Sequence, residues 1–273
     1  MYKATAAEVS KLRNATGAGM MDSKKALEEA AGDFDKAIEI LRKQGQKVAA
    51  KRADRDSVEG AVIAKVNEDN TKGVIISLNC ETDFVAKNDD FVALAQRLAD
   101  MALNSDSKES FLNADIDGIS VNEKLTEQTG VIGEKIEIGN FQILEGAFVN
   151  AYIHAGNKIG AVVALSAKAD GADEVAREIA MQVAAMNPVA LNEDEVAADV
   201  IQQEMDIAID QLRQEGKPEN MIESIAKGKL QRFFKDNTLV HQAFIKDPKI
   251  SVADHVKSVN ADLKVVGYIR YGL

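Results

Sequence analysis

The strongest constraint on this chain is a pattern that occurs twice. Glu59-Gly60-Ala61-Val62-Ile63 opens a strand, Asn67-Glu68-Asp69-Asn70 supplies turn chemistry, and Gly73 to Leu78 returns as the second arm of a hairpin. A helix follows from about Asp89 to Leu103, with Asn88 as its N-cap. Later in the chain Glu145-Gly146-Ala147-Phe148-Val149 echoes that opening. Gly156-Asn157-Lys158 is the turn, Ile159 to Leu165 the second strand, and Ala172 to Met186 the helix. Asp90, Val92, Ala93, Ala102 and Asn104 match Asp173, Val175, Ala176, Ala185 and Asn187 at a constant offset of 83. The pattern reads as an internal duplication, with chance matching of two helical patterns as the alternative. It predicts the α+β class, with two related subdomains, each an antiparallel sheet carrying a helix on one face.

The flanking segments follow other periods. Thr5-Ala6-Ala7-Glu8 is a capping box, and Val9 and Leu12 begin an apolar face that Thr16-Gly17-Ala18-Gly19 interrupts. A second short helix carries Ala26, Leu27 and Ala30. A third, capped by Asp33, carries Phe34, Ala37, Ile38 and Leu41, with Gly45 as its stop. Residues 42–55 then hold Arg42, Lys43, Lys47, Lys51, Arg52 and Arg55 against Asp54 alone, and read as a basic, partly helical linker. It offers either a patch for RNA or an acidic partner, or a solvated helix face; the lack of interleaved aromatics weakens the RNA reading. Residues 105–144 read as a looser connection ending in a strand pair around Glu134–Ile138 and Phe141–Leu144. Val196, Val200, Ile201, Met205, Ala208, Ile209 and Leu212 form a helical stripe, Gly216-Lys217-Pro218 breaks it, and Met221, Ile222, Ile225 and Leu230 start a second. This is a helical hairpin, either an arm projecting from the body or two packed helices. Leu263 to Tyr271 is a final strand that can complete the second sheet.

Composition excludes several function classes. The net charge of −11 argues against a general nucleic-acid binder. It is unevenly spread: residues 1–56 hold 12 Lys/Arg against 9 Asp/Glu, net +3, which leaves −14 for the rest. One cysteine, Cys80, excludes an intrachain disulfide framework. No apolar run approaches the length of a membrane span, and Met1-Tyr2-Lys3-Ala4-Thr5 lacks an apolar signal core, so a cytoplasmic location is expected. No phosphate-binding Gly-x-x-x-x-Gly-Lys-Ser/Thr and no Gly-x-Ser-x-Gly elbow occurs. His154, His241 and His255 lie far apart, so no metal site or cofactor is expected, and Asp89-Asp90 suits a helix N-terminus. No set of side chains for catalytic chemistry emerges.

One segment asks for a functional reading. Asn79 to Asn88 joins a strand to a helix, and Thr82 is placed to cap a single helical turn. That puts Asp83 and Phe84 side by side at the start of an element, where both can point outward. An aromatic ring beside a carboxylate on a connection is a recognition pair. The alternative is that Phe84 folds back onto the core.

The motif Thr82-Asp83-Phe84-Val85-Ala86-Lys87-Asn88 resembles the signature of the elongation factor Ts family, as does the stretch Leu12 to Leu27 with its Thr16-Gly17-Ala18-Gly19-Met20-Met21-Asp22-Ser23-Lys24-Lys25 centre. Tyr152 to Gly160, Gly216-Lys217-Pro218 and Val266 to Arg270 also match, so the resemblance spans essentially the whole chain. Ser77 departs from it, standing where the family usually has Glu. The resemblance implies a small UBA-like three-helix N-terminal domain over 1–55, core subdomains over 56–144 and 145–273, and a helical-hairpin arm inserted at 193–232. It implies a guanine nucleotide exchange factor, without catalytic chemistry of its own, that releases GDP from the translational GTPase elongation factor Tu. By resemblance, Thr82, Asp83, Phe84 and Val85 would dislodge Mg²⁺ from the GTPase, with Phe84 wedged between two of its helices. Leu12, Arg13, Met20, Met21 and His154 would make further contacts with it. No cofactor, direct nucleic acid or membrane partner is implied; the arm could pair two copies or pack alone.

Overall fold

The computed structural model describes residues 2–273. The leader is three helices: α1 (Ala6–Thr16), α2 (Met20–Glu29) and α3 (Phe34–Arg52). Thr5 and Glu8 form the capping box at the start of α1, and Asp33 accepts from the Lys36 amide at the start of α3. Val9, Leu12, Ala26, Leu27 and Ala37 make a small core of their own. Gly45 does not end the third helix: α3 runs on to Arg52, so the basic segment 42–55 is helical except for its last three residues. Gly45 is instead where α3 crosses another helix, described below.

The first half of the body contains β1 (Glu59–Val66), β2 (Lys72–Cys80), a single turn α4 (Asp83–Ala86) and α5 (Asp89–Ala102). There follow α6 (Lys108–Leu112), a minimal hairpin β3 (Asp115–Ile116) and β4 (Ile119–Ser120), α7 (Val121–Ile132) and β5 (Glu137–Glu145). The expected strand pair at the end of this stretch is one strand: β5 adds to the free edge of β2, with a register shift between Ser77 and Leu78 that leaves Gly139 unpaired. The second half repeats the order with β6 (Phe148–Ile153), β7 (Ile159–Leu165) and α8 (Ala172–Met186). Then come the arm, α9 (Ala198–Gln214) and α10 (Glu219–Asn237), a hairpin β8 (Ala243–Phe244) and β9 (Asp247–Ser251), α11 (Val252–Val259) and β10 (Val265–Gly272). The sheets are β1-β2-β5 and β6-β7-β10, both antiparallel, so in each half the third strand returns to the second strand of the hairpin.

Side-chain parity explains the assembly. Side chains on a strand alternate between faces. Ala61, Ile63, Val74, Ile76 and Leu78 face α5, through Phe91, Ala95, Leu98 and Ala102. Ala161, Val163 and Leu165 face α8, through Val175, Ala176, Ile179 and Val183. The intervening residues Val62, Ala64, Ile75, Val149, Val162 and Ala164 form a third cluster, in which the two sheets pack on each other. Neither sheet therefore has a wet face at its centre, and the strands read as unbroken apolar runs. Each valine or isoleucine buried here stabilises the fold by roughly 1.5–3 kcal/mol relative to exposure. The contact is so close that a Cβ on Gly73 would stand 2.5 Å from Val162, and one on Gly160 would stand 3.0 Å from Val62. These two glycines hold corresponding places in the two halves, which supports the duplication.

The leader is fastened to the body by α3 against α7. Gly45 and Gly130 meet at the crossing, and a Cβ on Gly130 would lie 2.4 Å from the Gly45 Cα. Arg42 pairs with Glu127 at 3.2 Å beside that contact. The arm is held in its outer part by Ala208, Leu212, Ile222 and Ala226, and nearer the body by Val196 and Phe234 with Ala190. At its root Gln182 is fully buried, donating to Gln242 Oε1 and the Ala243 carbonyl, each at 3.1 Å, and accepting from the Ile245 amide at 2.8 Å.

Candidate docking site

The segment after β2 points Phe84 outward, by means its sequence conceals. Thr82 precedes α4, but its side chain does not cap that turn. Its hydroxyl donates instead to Glu134 Oε1 at 2.6 Å, while the Glu81 and Thr82 amides donate to Glu134 Oε2 at 3.1 and 3.0 Å. Glu81 in turn accepts twice from Arg52 at 2.8 Å and once from the Lys135 amide at 2.7 Å. The Cys80 thiol donates to the Thr82 carbonyl at 3.2 Å. Beyond the turn, Asn88 caps α5 through the amides of Asp90 and Phe91.

Between these fixed ends Val85 and Ala86 pack into the first core, and Phe84 points out, 84% exposed. A phenyl ring left in water beside a half-buried valine and a buried alanine is not there to stabilise the monomer. Asp83 stands beside it, paired with Lys87 at 2.6 Å. That hydrogen bond and charge hold the Asp83 carboxyl below the usual carboxylate range, so it is ionised at neutral pH. Cys80 is buried, and burial first, then the Glu134 charge, pushes its thiol up to about 12. It is an inert core thiol.

The other sequence-predicted residues fall into two groups. Met20 and Met21 are 62% and 61% exposed at the start of α2, and Arg13 is exposed on α1. Leu12 is not a surface residue: it is fully buried in the leader core, because it lies three residues on from Val9 on the inward face of α1, and it can only support that surface from beneath. Gly17, at the end of α1, lines the same groove as Thr82, Phe84, Gln128 and Val131, so the leader and the Phe84 turn meet across α7. His154 is exposed at the end of β6, with Nδ1 3.1 Å from the Tyr152 hydroxyl. Its turn leans on β1: the Asn157 carbonyl accepts from the Val62 amide at 2.7 Å, and Lys158 pairs with Glu59. Glu59 opposes Cys80, so this turn stands at the end of the first sheet from which the Phe84 segment leaves.

Sequence reading missed Glu134, Glu81 and Arg52. Their partners lie 29 to 54 residues away, and no local pattern announces them. Among the described residues there is no group of three or more metal-ligating side chains, and no helix is long and apolar enough to cross a membrane.

The fold is thus of the α+β class, with two antiparallel sheets packed on each other, a helical leader and an exposed aromatic turn beside it. The family model for elongation factor TS matches residues 81–273. The chain is 70% identical over 273 residues to the elongation factor Ts of Christiangramia forsetii and 64% identical over 273 residues to that of Flavobacterium psychrophilum, covering 100% of both chains in each case. It is 45% identical over 267 residues to that of a Hydrogenobaculum species, covering 95% of each. The chain belongs to the elongation factor Ts family.

Proposed function

We propose that this chain is a guanine nucleotide exchange factor: it binds elongation factor Tu in its GDP form and promotes GDP release, so that GTP can enter. The observation that carries the reading is Phe84, an aromatic ring presented to solvent on a braced turn in a member of this family. Factor and nucleotide weaken each other's hold on the GTPase, and that coupling is reciprocal. Such an activity needs no catalytic side chain. The Mg²⁺ that bridges the nucleotide's phosphates to the GTPase supplies much of the nucleotide's grip. The Thr82–Val85 turn acts there, with Phe84 as wedge and Asp83 as the charge that competes for the metal's surroundings.

The energetics assign work to the rest of the molecule. A release rate raised about 10⁴-fold requires a barrier lowered by about 5.5 kcal/mol. One buried aromatic hot spot contributes about 2–4 kcal/mol. The remainder comes from contacts that hold the factor in place: Arg13, Met20 and Met21 on a UBA-like leader over residues 1–55, and His154 on the second subdomain over 145–273, with 56–144 carrying the wedge. We place the protein in the cytoplasm, with no nucleic acid or membrane partner. The arm could pair two copies, which sedimentation of the full-length chain decides.

The test is release of a fluorescent GDP from purified elongation factor Tu of the same cell, in excess unlabelled GDP. Strong acceleration at substoichiometric factor is expected. A folded factor that leaves the rate of a responsive GTPase unchanged would overturn the reading.

A further inference from the structure

We propose that Glu134 is a positioning residue for the docking turn: its one carboxylate, just beyond the end of α7, anchors the backbone that enters α4 and holds Phe84 ready before any partner arrives. This rests on the docking role given to Phe84 above. A four-residue helical turn is too short to be stable alone, because its first amides have no partner within the helix. The residue placed to satisfy them is Thr82, yet Thr82 makes no such bond. Its hydroxyl is turned away to Glu134 Oε1 at 2.6 Å, and the amides of Glu81 and Thr82 converge on Oε2 at 3.1 and 3.0 Å. Three donors from two consecutive residues on one carboxylate are charge-assisted bonds, stronger than neutral ones, and they fix both the position and the direction of the backbone entering α4.

A second brace lies behind the first. Lys135, the next residue, donates its amide to Glu81, and Glu81 accepts both bonds from Arg52 at the end of α3. The entry to the turn is thus tied to the α7–β5 connection and to the leader's long helix. Its exit is tied by the Asn88 cap. With both ends held and Val85 and Ala86 in the core, Phe84 has its side-chain torsions alone to lose on docking. Without Glu134 the turn would have to be ordered during docking, and that ordering opposes binding. The opposition falls at the step where Phe84 is engaged. The leader and the His154 turn, which make the first hold, keep their geometry. Glu134→Ala therefore lowers the maximal rate of GDP release and leaves the half-saturating factor concentration nearly unchanged.

The chemistry supplies its own control. A glutamine side chain has the same shape: its carbonyl can accept both amides, and its amide can donate to the Thr82 hydroxyl oxygen. Glu134→Gln should rescue the clamp that Glu134→Ala removes.

The experiment uses the full-length factor in three forms, wild type, Glu134→Ala and Glu134→Gln, each checked for an unchanged thermal melt. Hydrogen exchange at residues 81–86 and stimulated GDP release from elongation factor Tu are both measured. We expect exchange at 81–86 to quicken in Glu134→Ala and the maximal release rate to fall about tenfold, with half-saturation within about twofold of wild type and Glu134→Gln close to wild type on both measures. Unchanged hydrogen exchange in Glu134→Ala would overturn the clamp. Faster exchange with an unaltered release rate would overturn its part in docking, and Glu134→Gln as impaired as Glu134→Ala would overturn the hydrogen-bonded geometry of the clamp. If the wild-type factor itself fails to stimulate release, the exchange-factor reading falls, while hydrogen exchange still decides whether Glu134 holds the turn.

Discussion

The two halves of the body share a plan, and the connection from hairpin to helix differs between them. In each, a hairpin leads to a helix, and a later strand returns beside the hairpin's second strand. In the first half, β2 reaches α5 through Glu81 to Asn88, a stretch that adds the turn α4 and exposes Phe84. In the second, β7 reaches α8 through Ser166 to Gly171, which contains no aromatic residue, and Gly171 supplies the left-handed entry to the helix. The helices and sheets of both halves obey the same packing demands. What sets these two connections apart is Phe84, a ring that packing does not use. If the proposed role of Phe84 holds, function is grafted onto a connection while the hairpin-and-helix scaffold beneath keeps its shared plan.

The largest expected effect comes from removing that difference. Phe84→Ala should cost about 2–4 kcal/mol in the stimulated release of GDP, roughly 30-fold or more in rate. The thermal melt should not move, because the ring buries almost nothing in the free protein. A matching loss of stability would mean that Phe84 supports the first half, and the contrast between the two connections would lose its functional meaning.

The leader docks on the first half alone, through α7, which has no counterpart in the second. Gly130→Val tests that attachment, since it puts methyl groups where the Gly45 backbone lies. We expect a loss of about 1–3 kcal/mol in stability, the usual cost of overpacking. Weaker binding to elongation factor Tu should accompany it, as the Met20–Met21 surface shifts away from Phe84. Full binding with a displaced leader would show that the first half docks unaided.

Adjacent residues of β2 separate what the halves share from what each owns. Ile75 points into the layer between the sheets, and Ile76 points toward α5. Ile75→Val and Ile76→Val should each cost about 0.5–1.5 kcal/mol, because each removes one methylene from a packed site. Only the first should couple to Val162→Ala in a double-mutant cycle. Coupling of Val162 to Ile76 instead would mean that the two sheets do not pack as independent faces of one layer.

Much of this architecture was legible in the sequence, for local reasons. The capping residues Thr5, Asp33 and Asn88 act on amides within three residues of themselves, so their roles follow from spacing alone. Both hairpins and the helix over Ala172–Met186 stand where periodicity puts them. Gly45 misled because a helix-ending glycine and a helix-crossing glycine look alike until the partner, Gly130, is known. Unbroken apolar strands concealed the sheet-on-sheet layer, since burial on both faces erases the alternation that would have revealed a direction. At the candidate site, Phe84 was visible as an aromatic on a connection, whereas Glu134 was hidden by its distance of 52 positions from Thr82. Long-range hydrogen bonds leave no period to read.

The smallest effect concerns an attachment that belongs to the second half alone. Glu178 on α8 accepts from Lys246 and from His255 Nε2, each at 2.7 Å, and His255 stacks on Phe244 at 3.9 Å between ring centres. The cluster pins the β8–β9 hairpin and α11 onto α8. Burial pushes the Glu178 carboxyl up, but the bonds from Lys246 and His255 outweigh it and hold the group below the usual carboxylate range. A carboxylate lowered by folding gives stability that is fully present above its unfolded pKa, about 4.3, and is lost as pH falls through the lower folded value. Wild-type stability should therefore decline below about pH 4 more steeply than that of Glu178→Gln, which has no such proton to bind. The separation should be modest, because Lys246 is half in solvent. Chemical denaturation of the two proteins at pH 7 and at pH 3.5 measures it. Parallel acid losses in both would remove Glu178 from the account and leave the second half held to its helix by apolar contacts alone.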